Sequence, residues 1–453
     1  MQSLIQKYNV PGPRYTSYPT VPYWNTDNFT PEDWKKRLQV QFEKYNEIEG
    51  LSLYIHLPFC ESLCTFCGCH KRITKRHEVE EPYINALLKE WQLYLEIFES
   101  TPIIKEIHLG GGTPTFFCPK NLQKLINGIL QTCKLHPNYS FSFEGHPNNT
   151  TKEHLQTLFN LGFRRVSFGV QDYNMAVQIA INRIQPFENV KKVTEWARQI
   201  GYTSVGHDII FGLPYQTLDH VKFTIEKTKE LKPDRIAFYS YAHVPWIKGN
   251  GQRGFSEENL PSPELKRTQY ETGKHWLEKL GYNEIGMDHF ALPNDELFDA
   301  MKNKTLYRNF MGYTTTPSKI MIGLGVSAIS DCWTAFAQNE KNIETYYTLL
   351  EKNRIPVYRG HLLTIEDETI RKHILNLMCN LETSWTENEA KFIDFNTILQ
   401  NLNELKSDGI VIFENNKIQV TEKGKPFVRN VCMAFDLQLQ SKQPETRLFS
   451  MTV

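Results

Sequence analysis

The stretch Cys60-Glu-Ser-Leu-Cys64-Thr-Phe-Cys67-Gly-Cys69 carries the most specific pattern in this chain. It follows the apolar run Leu51–Leu57, which predicts a strand. Three thiols in the spacing C-x3-C-x2-C, on a loop that leaves a strand, are what an iron–sulfur cluster needs. Three thiolates bind three irons of a [4Fe–4S] cube and leave the fourth iron open to a small molecule. The pattern therefore indicates a cluster that does chemistry, because electron carriers close all four positions with protein ligands.

Zinc is the first alternative at these thiols. A structural zinc site is closed by four ligands, usually in two separated pairs, and no second Cys or Cys/His pair with ligand spacing appears later in the sequence. Disulfides fit less well, because four cysteines within ten residues would strain one another. We predict a cluster held by Cys60, Cys64 and Cys67. The third ligand is the least determined of the three, and the x2 spacing favours Cys67 over Cys69.

Composition excludes several classes of function. The 453 residues contain 51 Lys and Arg against 51 Asp and Glu, so no overall positive field would attract nucleic acid. No apolar run approaches the length of a membrane span, and the first residues lack the apolar core of a signal peptide. We expect a cytoplasmic monomer of two domains plus a tail. In that compartment the scattered cysteines are most simply buried thiols, namely Cys118, Cys133, Cys332, Cys379 and Cys432.

Strands and helices alternate from residue 51 to about residue 240. The predicted strands are 52–57, 106–109, 140–144, 165–170, 205–211 and 235–239. The predicted helices are 81–98, 119–133, 152–161, 187–200 and 218–231, followed by 263–280. Repeated strand–helix units predict a parallel sheet with right-handed crossovers. Six units are too few to close an eight-stranded barrel.

The two ends of the chain differ from this repeat. Four of the first 22 residues are prolines, which predicts an extended segment, and a helix should begin after Thr30-Pro31. Beyond about residue 331 the sequence predicts helices with loops, and residues 405–421 predict a helix end, a strand, a tight turn and a strand. That order is similar to a winged-helix module. Because no dense basic face is evident, we expect a lid or packing domain, with domain ranges 1–50, 51–330 and 331–453.

The cysteine motif, with Phe66 directly before Cys67, resembles the radical S-adenosylmethionine (SAM) superfamily. The longer string from Tyr54 to Cys69 resembles the oxygen-independent coproporphyrinogen III oxidase family of bacterial haem synthesis, and so does the leader Arg14-Tyr-Thr-Ser-Tyr-Pro. The similarity runs from Tyr8 to about Asp436. It implies an α/β fold: a partial (β/α)6 radical SAM barrel with an extended N-terminal segment and a mainly helical C-terminal domain. It also implies a [4Fe–4S] cluster and two SAM molecules.

The same resemblance implies an activity and partners. Coproporphyrinogen III would lose two carboxyl groups as CO2 and become protoporphyrinogen IX, through a 5′-deoxyadenosyl radical formed from SAM. An electron donor to the cluster and an electron acceptor are implied as well. The alternatives are a haem chaperone of the same fold and an RNA-modifying radical SAM enzyme. Haem chaperones usually carry phenylalanine at the position of Cys69 and lack the Arg14-Tyr-Thr-Ser-Tyr-Pro leader, and the balanced charge gives no support to RNA binding.

Further motifs fall at the carboxyl ends of the predicted strands, where barrels carry their chemistry. The run Gly110-Gly111-Gly112-Thr113 would let backbone approach a ligand, although a glycine run is often only a turn. By resemblance it is the site for the SAM amino group. Glu144 follows the third strand and matches an acidic residue that contacts SAM in the family, whereas a surface charge is the alternative.

The remaining site residues follow from the resemblance. It implies catalytic roles for Tyr54, Glu144 and Phe310. The cofactor-binding positions would be Tyr54, Phe66, Gly111, Gly112, Thr113, Glu144 and Ile329 at the first SAM, and Gln171, Arg183, Asp208 and Ala242 at the second. Asp208 lies within an apolar strand and needs a partner, for which Arg183 is a candidate; a purely structural ion pair of the two is the alternative.

Two positions depart from the family pattern. His146 stands where the family has aspartate, and Met311 replaces a glutamine in Arg-Asn-Phe-Gln-Gly-Tyr. Asp288-His289 is either a proton-handling pair or a structural one. We also expect residues 1–30 to cover the barrel mouth, with the leader tyrosines against the substrate and Arg14 on a propionate.

Overall fold

One twelve-stranded sheet forms the centre of the fold. The structure is a computed structural model that describes residues 3–246, 251–252, 254–442 and 448–452. In chain order the strands are β1 (Leu51–Leu57), β2 (Phe59–Cys60), β3 (Arg72–Ile73), β4 (Ile103–Gly111), β5 (Lys134–Gly145), β6 (Phe163–Gln171), β7 (Ser204–Phe211), β8 (Arg235–Ser240), β9 (Asn283–Gly286), β10 (His289–Ala291), β11 (Tyr307–Asn309), β12 (Gly312–Thr314), β13 (Met321–Leu324), β14 (Ile329–Asp331), β15 (Ala335–Asn339), β16 (Val357–Leu362), β17 (Glu382–Ser384), β18 (Val411–Glu414) and β19 (Lys417–Val420).

Helices cover the sheet and build the C-terminal part of the chain. In chain order they are α1 (Leu4–Tyr8), α2 (Pro31–Tyr45), α3 (Glu80–Leu95), α4 (Pro119–Leu130), α5 (Lys152–Asn160), α6 (Met175–Ala180), α7 (Phe187–Ile200), α8 (Leu218–Leu231), α9 (Pro263–Lys279), α10 (Glu296–Lys302), α11 (Ile343–Glu351), α12 (Ile365–Asn380), α13 (Phe395–Ser407), α14 (Val428–Phe435) and α15 (Leu437–Ser441). Helix α2 begins with a reciprocal capping box between Thr30 and Asp33 and with Pro31 at its first position.

The six predicted strands are confirmed as a parallel run, in the order β1-β4-β5-β6-β7-β8. Strand β13 adds a seventh parallel member beside β1, which the sequence did not predict. Alternation within β1 explains its place: Leu53 and Ile55 are fully buried in the core cluster, while Tyr54 between them points to the opposite face. The α/β partial barrel expected from the sequence is therefore the observed fold.

Register brings polar side chains together on the inner face of the barrel. Tyr54 is opposite His108, Glu144 is opposite Ser167, and Asp208 is opposite Gly169. Registered residues of neighbouring strands point to the same face of a sheet. The candidate catalytic groups therefore meet near the carboxyl ends of the parallel strands.

The sheet continues past residue 331, where the sequence predicted helices and loops. Strands β14, β15 and β16 extend it by antiparallel pairing beyond β13. Every residue of Ala335–Asn339 is buried, so this segment forms sheet interior rather than a connecting loop. Only with α12, capped by Thr364, does the chain become mainly helical. We propose that the C-terminal unit begins there.

The C-terminal unit contains the predicted hairpin, with β18 and β19 antiparallel. Asn415 and Asn416 form its turn with φ of 49° and 59°, the left-handed conformation that two-residue hairpin loops require. Strand β17 adds a third member beside β19. Among the described residues no helix is both long and apolar enough to cross a membrane.

The N-terminal segment corrects one expectation. Contrary to the expectation from the sequence, the leader tyrosines do not face a substrate site. Tyr8, Tyr15 and Tyr18 are buried in the hydrophobic core of the C-terminal unit. The Tyr15 hydroxyl donates a hydrogen bond to Asp436 (3.1 Å). Arg14 forms an ion pair with the buried Asp288. The three rings pack in this core because burying an aromatic ring stabilises the fold more than leaving it exposed does.

Candidate active site

The cluster motif lies on a loop that is closed at its base. Cys60 ends β2, which pairs in parallel with β3, and the Thr74 amide donates to the Cys60 carbonyl (2.9 Å). Within the loop the Cys67 amide donates to the Cys64 carbonyl (3.2 Å). All three predicted ligands therefore project from one short closed loop at the barrel mouth.

Two of the thiols receive hydrogen bonds from groups outside the loop. The Thr113 hydroxyl donates to the Cys60 sulfur (3.3 Å), and Arg183 donates to the Cys64 sulfur (3.7 Å). Donors and a cation beside sulfur stabilise the thiolate form that binds iron. In the described part of the chain no three His, Cys, Asp or Glu side chains surround a single ion position. This donor set fits a cluster, in which each thiolate binds its own iron.

The thiol of Cys69 forms a hydrogen bond with the thiol of Cys67. The hydrogen bond between the two thiols lowers the pKa of Cys67, and the same bond raises the pKa of Cys69 well above its ordinary value. Lys71 donates to the backbone oxygens of both residues (3.3 Å). This geometry agrees with the prediction that Cys69 contacts the ligand Cys67 and does not itself bind iron.

The glycine run packs against the cluster loop. The Gly112 amide donates to the Leu57 oxygen (2.8 Å) and the Thr113 amide to the Phe59 oxygen (3.0 Å). Contrary to the expectation from the sequence, these two amides are therefore not available to a ligand. A Cβ on Gly112 would lie 2.6 Å from the backbone of Pro58. Glycine is required here because the loop backbone lies where any side chain would start.

Glu144 faces the mouth beside Tyr54. The Gly111 amide donates to its carboxylate (3.4 Å), and His108 Nε2 lies 3.6 Å from the other carboxylate oxygen. Tyr54 stacks on His108 with ring centroids 6.1 Å apart. Loss of solvent raises the pKa of Glu144, but His108, the Gly111 amide and His56 together outweigh it, and the net shift of the pKa is downward. A half-exposed carboxylate held ionised at this place can bind a cationic or hydroxyl group.

Asp208, Arg183 and Gln171 surround Gly169, but not as the ion pair considered from the sequence. Asp208 accepts a hydrogen bond from Ser167 (2.8 Å), and Arg183 donates to the Gly169 oxygen (2.6 Å). A Cβ on Gly169 would lie 2.6 Å from the Gln171 amide and 3.0 Å from Arg183. Burial raises the pKa of Asp208 to about 7, and Arg183 only partly opposes this. Among the residues that the structure describes, the buried Arg183 Nε has no hydrogen-bond partner, which leaves a donor for a bound anion.

Two site residues were missed from the sequence. The side chain of Gln252 donates to the backbone oxygens of Phe66 (2.9 Å) and Ala242 (3.0 Å), and so joins the cluster loop to the end of β8. His108 links Tyr54 to Glu144. The sequence signal for His108 was its position between the apolar residues Ile107 and Leu109 of a predicted strand, whereas no signal in the sequence marked Gln252.

Phe310 and Ile329 lie together at the other side of the mouth. Both pack against a small core that includes Trp24 and Phe336, and the rings of Phe310 and Phe336 are perpendicular, 5.9 Å apart. The turn before Ile329 is held by the fully buried Glu90, which accepts hydrogen bonds from Gly325 N, Asn339 and Tyr346 (2.6–2.8 Å). Glu90 therefore positions the segment that carries Ile329.

Glu90 gives a pH-dependent prediction. Burial raises its pKa from 4.5 to about 7, so the folded state binds the proton more tightly than the unfolded state does. Stability from this group is complete below about pH 4.5 and falls as the pH rises to 7, by at most about 3 kcal/mol. Glu90→Gln does not titrate. Its amide NH2 group, however, is a donor placed among the three groups that donate to Glu90 in the wild-type protein. We expect the variant to have a lower melting temperature than the wild type at pH 5.5, and this difference in melting temperature to narrow towards pH 8. A difference in melting temperature that stays constant over pH 5–8 would contradict the assignment of this titration to Glu90.

The remaining motif residues have local partners. His146 accepts from the Asn148 amide (3.2 Å) within a turn, and the Met311 amide donates to Asn309 (2.9 Å). His289 Nδ1 lies 2.8 Å from Asp288, which is also held by Arg14. Burial would raise the pKa of Asp288, but Arg14 and His289 hold it well below its ordinary value. These contacts favour the structural role for Asp288-His289.

Comparisons with known proteins agree with this geometry. Residues 54–228 match the radical SAM superfamily. Oxygen-independent coproporphyrinogen III oxidase of Helicobacter pylori strain J99 is 40% identical over 96% of this chain and 96% of its own length. The Escherichia coli K12 protein of the same name is 38% identical over 97% and 96%.

A solved structure matches the whole fold as well. Coproporphyrinogen III oxidase from Escherichia coli, described as a radical SAM enzyme, superimposes with a TM-score of 0.87 at 36% identity and covers 94% of this chain and 97% of its own. Similarity of this extent, over both sequence and fold, includes the cluster loop, the barrel and the C-terminal unit. The chain therefore belongs to the oxygen-independent coproporphyrinogen III oxidase family of radical SAM enzymes.

Proposed function

We propose that this radical SAM oxidoreductase converts two propionate side chains of coproporphyrinogen III to vinyl groups and so forms protoporphyrinogen IX. The observation that supports it best is the meeting of the three-cysteine loop, Glu144 and Asp208 at one barrel mouth, in a chain whose relatives carry that name. Each propionate loses one hydrogen atom, one CO2 and one electron. The relatives' names support the enzyme rather than the haem chaperone.

A [4Fe–4S] cluster and SAM are the cofactors of this family, and together they supply the one-electron cleavage that yields a hydrogen-abstracting radical. We propose that Cys60, Cys64 and Cys67 hold the cluster, with Thr113 and Arg183 donating to its sulfur ligands. Glu144, Tyr54 and Gly111 would orient SAM, because they lie side by side at the edge of the cluster loop.

A second SAM site is supported by separate geometry. Gln171, Arg183 and Asp208 meet around Gly169, and Ala242 is joined to the cluster loop through Gln252. Arg183 has a buried Nε donor without a partner in the described part of the chain, and Asp208 has a protonatable carboxyl, so this corner offers both a donor and an acceptor. We propose that these residues hold the second SAM, while Phe66, Gly112 and Ile329 close the first site.

Two external redox partners complete the proposal: a donor that reduces the cluster and an acceptor that takes one electron for each vinyl group. The cytoplasmic location and the monomeric state stay predictions. The function is tested by anaerobic incubation of the cluster-loaded protein with coproporphyrinogen III, SAM and a reductant, followed by porphyrin chromatography. We expect protoporphyrin after oxidation of the products; unchanged coproporphyrin in a preparation that still cleaves SAM would contradict the proposal.

Replacing Glu144 should separate SAM binding from cluster assembly. We expect Glu144→Ala to raise the SAM dissociation constant by about tenfold or more, because a charge-assisted hydrogen bond is lost, while iron content stays at the wild-type level. Glu153→Ala, at an exposed glutamate of α5, is the matched control. Equilibrium binding of SAM to the anaerobic proteins measures the difference. Unchanged affinity in iron-replete Glu144→Ala would rule out this role.

A further inference from the structure

A basic segment follows the last predicted cluster ligand. Residues 62–77 contain four Lys or Arg side chains, two histidines and no acid, whereas Lys and Arg equal Asp and Glu in the chain as a whole. The nearest acids on either side along the chain are Glu61 and Glu78. The four cations are Lys71, Arg72, Lys75 and Arg76, of which the last three are exposed. The segment is therefore a local excess of positive charge in a chain that is balanced overall.

This segment includes the strand that pairs with the first predicted ligand. Strand β3 runs parallel to β2, and Ile73 is opposite Cys60 in the register. Neighbouring strands are about 4.8 Å apart, so the backbone of Ile73 lies one strand spacing from that of Cys60. Both residues of β3 are exposed. A molecule that binds to β3 therefore comes close to the predicted cluster from outside the protein.

Two cations of the segment, Lys75 and Arg76, have no acidic partner among the described residues. Arg72 differs from them, because it pairs with Glu344 (2.8 Å), although both side chains are more than half exposed and such a pair contributes little. Lys75 and Arg76 are both exposed. Their charges are therefore available to acidic groups on another molecule.

Contacts on both sides hold the backbone that carries these two cations. The Thr74 amide donates to the Cys60 oxygen (2.9 Å). On the other side His77 stacks on Phe116 with ring centroids 4.5 Å apart, and its Nδ1 lies 2.6 Å from the carboxylate of the buried Glu80. A partner that binds here loses less free energy to ordering, because the segment is ordered beforehand.

An exposed apolar side chain lies among the cations. Ile73 is 42% exposed, next to Arg72 and two residues before Lys75. An apolar centre with a charged rim is the composition of a protein–protein contact, and contacts between redox proteins are small, below about 1,200 Å². Residues 71–77 contain no Phe, Tyr or Trp, the rings on which the bases of single-stranded nucleic acid stack. The surface therefore fits an acidic protein better than RNA.

We propose that residues 71–77 are the docking surface for an acidic protein that carries one electron at a time and reduces the cluster. This inference rests on the proposed function, which requires an external electron donor, and it gives the surface chemistry of that donor. The carrier loses one electron, the cluster gains it, and no bond forms or breaks. Acidic side chains of the carrier face Lys75 and Arg76, and an apolar part of it covers Ile73.

The test combines a reduced plant-type [2Fe–2S] ferredoxin, a small acidic one-electron carrier, with the anaerobic cluster-loaded full-length protein. Oxidised ferredoxin gives the equilibrium dissociation constant, and stopped-flow absorbance gives the rate of cluster reduction. We expect Lys75→Glu with Arg76→Glu to weaken binding and slow reduction at least about tenfold at low ionic strength. The difference should shrink as salt shortens the screening length from about 10 Å at 0.1 M to about 3 Å at 1 M.

Two controls separate docking from other effects of the charge reversal. Lys36→Glu with Arg37→Glu changes the same residue types at exposed positions of α2, which packs against β15 and β16, and should leave ferredoxin binding and reduction at the wild-type level. Reduced methyl viologen, a small cation, should reduce the cluster of every variant at least as fast as that of the wild type. Iron content and melting curves accompany each variant.

The results distinguish a failure of this surface from a failure of the proposed function. Wild-type reduction by ferredoxin in Lys75→Glu with Arg76→Glu, or an equal loss with ferredoxin and with viologen, would overturn the docking surface. Binding of polyuridylate that requires these cations, while reduction by ferredoxin does not, would overturn it as well. In each case vinyl formation with viologen as the reductant would leave the function standing. Charge-dependent reduction by ferredoxin without decarboxylation would overturn the function and retain the docking surface.

Discussion

Serine at Cys60, Cys64 or Cys67 is expected to abolish the four-iron cluster and with it all SAM cleavage, whereas Cys69→Ser should retain both. A serine oxygen is a poor substitute for soft thiolate at iron. The three predicted ligands project from one loop closed by the β2–β3 pair, so losing any one of them would leave the cube held at two irons. Cys69 instead contacts Cys67 through a thiol hydrogen bond, which serine can replace in part.

Iron content and visible absorbance of anaerobically prepared proteins measure this prediction. Cys118→Ser is the control for thiol loss elsewhere: this thiol, on the N-terminal side of α4, is exposed rather than buried, contrary to the expectation from the sequence. Far-ultraviolet circular dichroism establishes that each variant is folded. Full iron content in Cys67→Ser together with loss of iron in Cys69→Ser would contradict the prediction and identify Cys69, not Cys67, as the third ligand.

Tyr15→Ala is expected to lower the free energy of unfolding by about 3–5 kcal/mol, the cost of deleting a buried aromatic ring. Tyr15 is 2% exposed within the core of the C-terminal unit, although it lies more than 400 residues away from Asp436, whose carboxylate its hydroxyl contacts. The N-terminal segment therefore acts as part of that core. Burial already raises the pKa of Asp436 to about 6, and loss of the hydroxyl leaves this carboxyl with one donor fewer.

Two variants separate the ring from its hydroxyl. Tyr15→Phe keeps the ring and should cost only about 1–2 kcal/mol, the effect of one lost hydrogen bond in a buried place. Tyr358→Ala, at a ring that is 43% exposed, should change stability by less than about 1 kcal/mol. Denaturant unfolding followed by tryptophan fluorescence compares them. Wild-type stability in Tyr15→Ala would mean that the leader is not part of the folded core.

The parallel part of the fold was predictable because its signal is local. Strict alternation in β1 and whole helices between the strands specify each unit within about 30 residues, and the bounds of α7 and α8 agree with the prediction. Strands β13–β16 were missed because each is three to six residues long and apolar throughout or irregular, which periodicity cannot distinguish from a loop.

The site was predictable to the extent that a motif fixes distance along the chain. One loop carries the three cysteines, so their proximity follows from spacing alone. Asp208 shows the limit: sequence indicates a buried carboxyl in need of a donor, but the choice of Ser167 over Arg183 depends on the register of β6 and β7. Gln252 could not be foreseen, because its two acceptors are backbone oxygens brought together only by folding.

Deuterium transfer tests the central claim most directly. Coproporphyrinogen III deuterated at the propionate β-carbons is incubated anaerobically with the enzyme, SAM and a reductant, and the 5′-deoxyadenosine is analysed by mass spectrometry. The account predicts one deuterium in each 5′-deoxyadenosine that accompanies a vinyl group, with none transferred in Cys60→Ser. Vinyl formation with unlabelled 5′-deoxyadenosine, or labelled substrate recovered intact beside cleaved SAM, would contradict it.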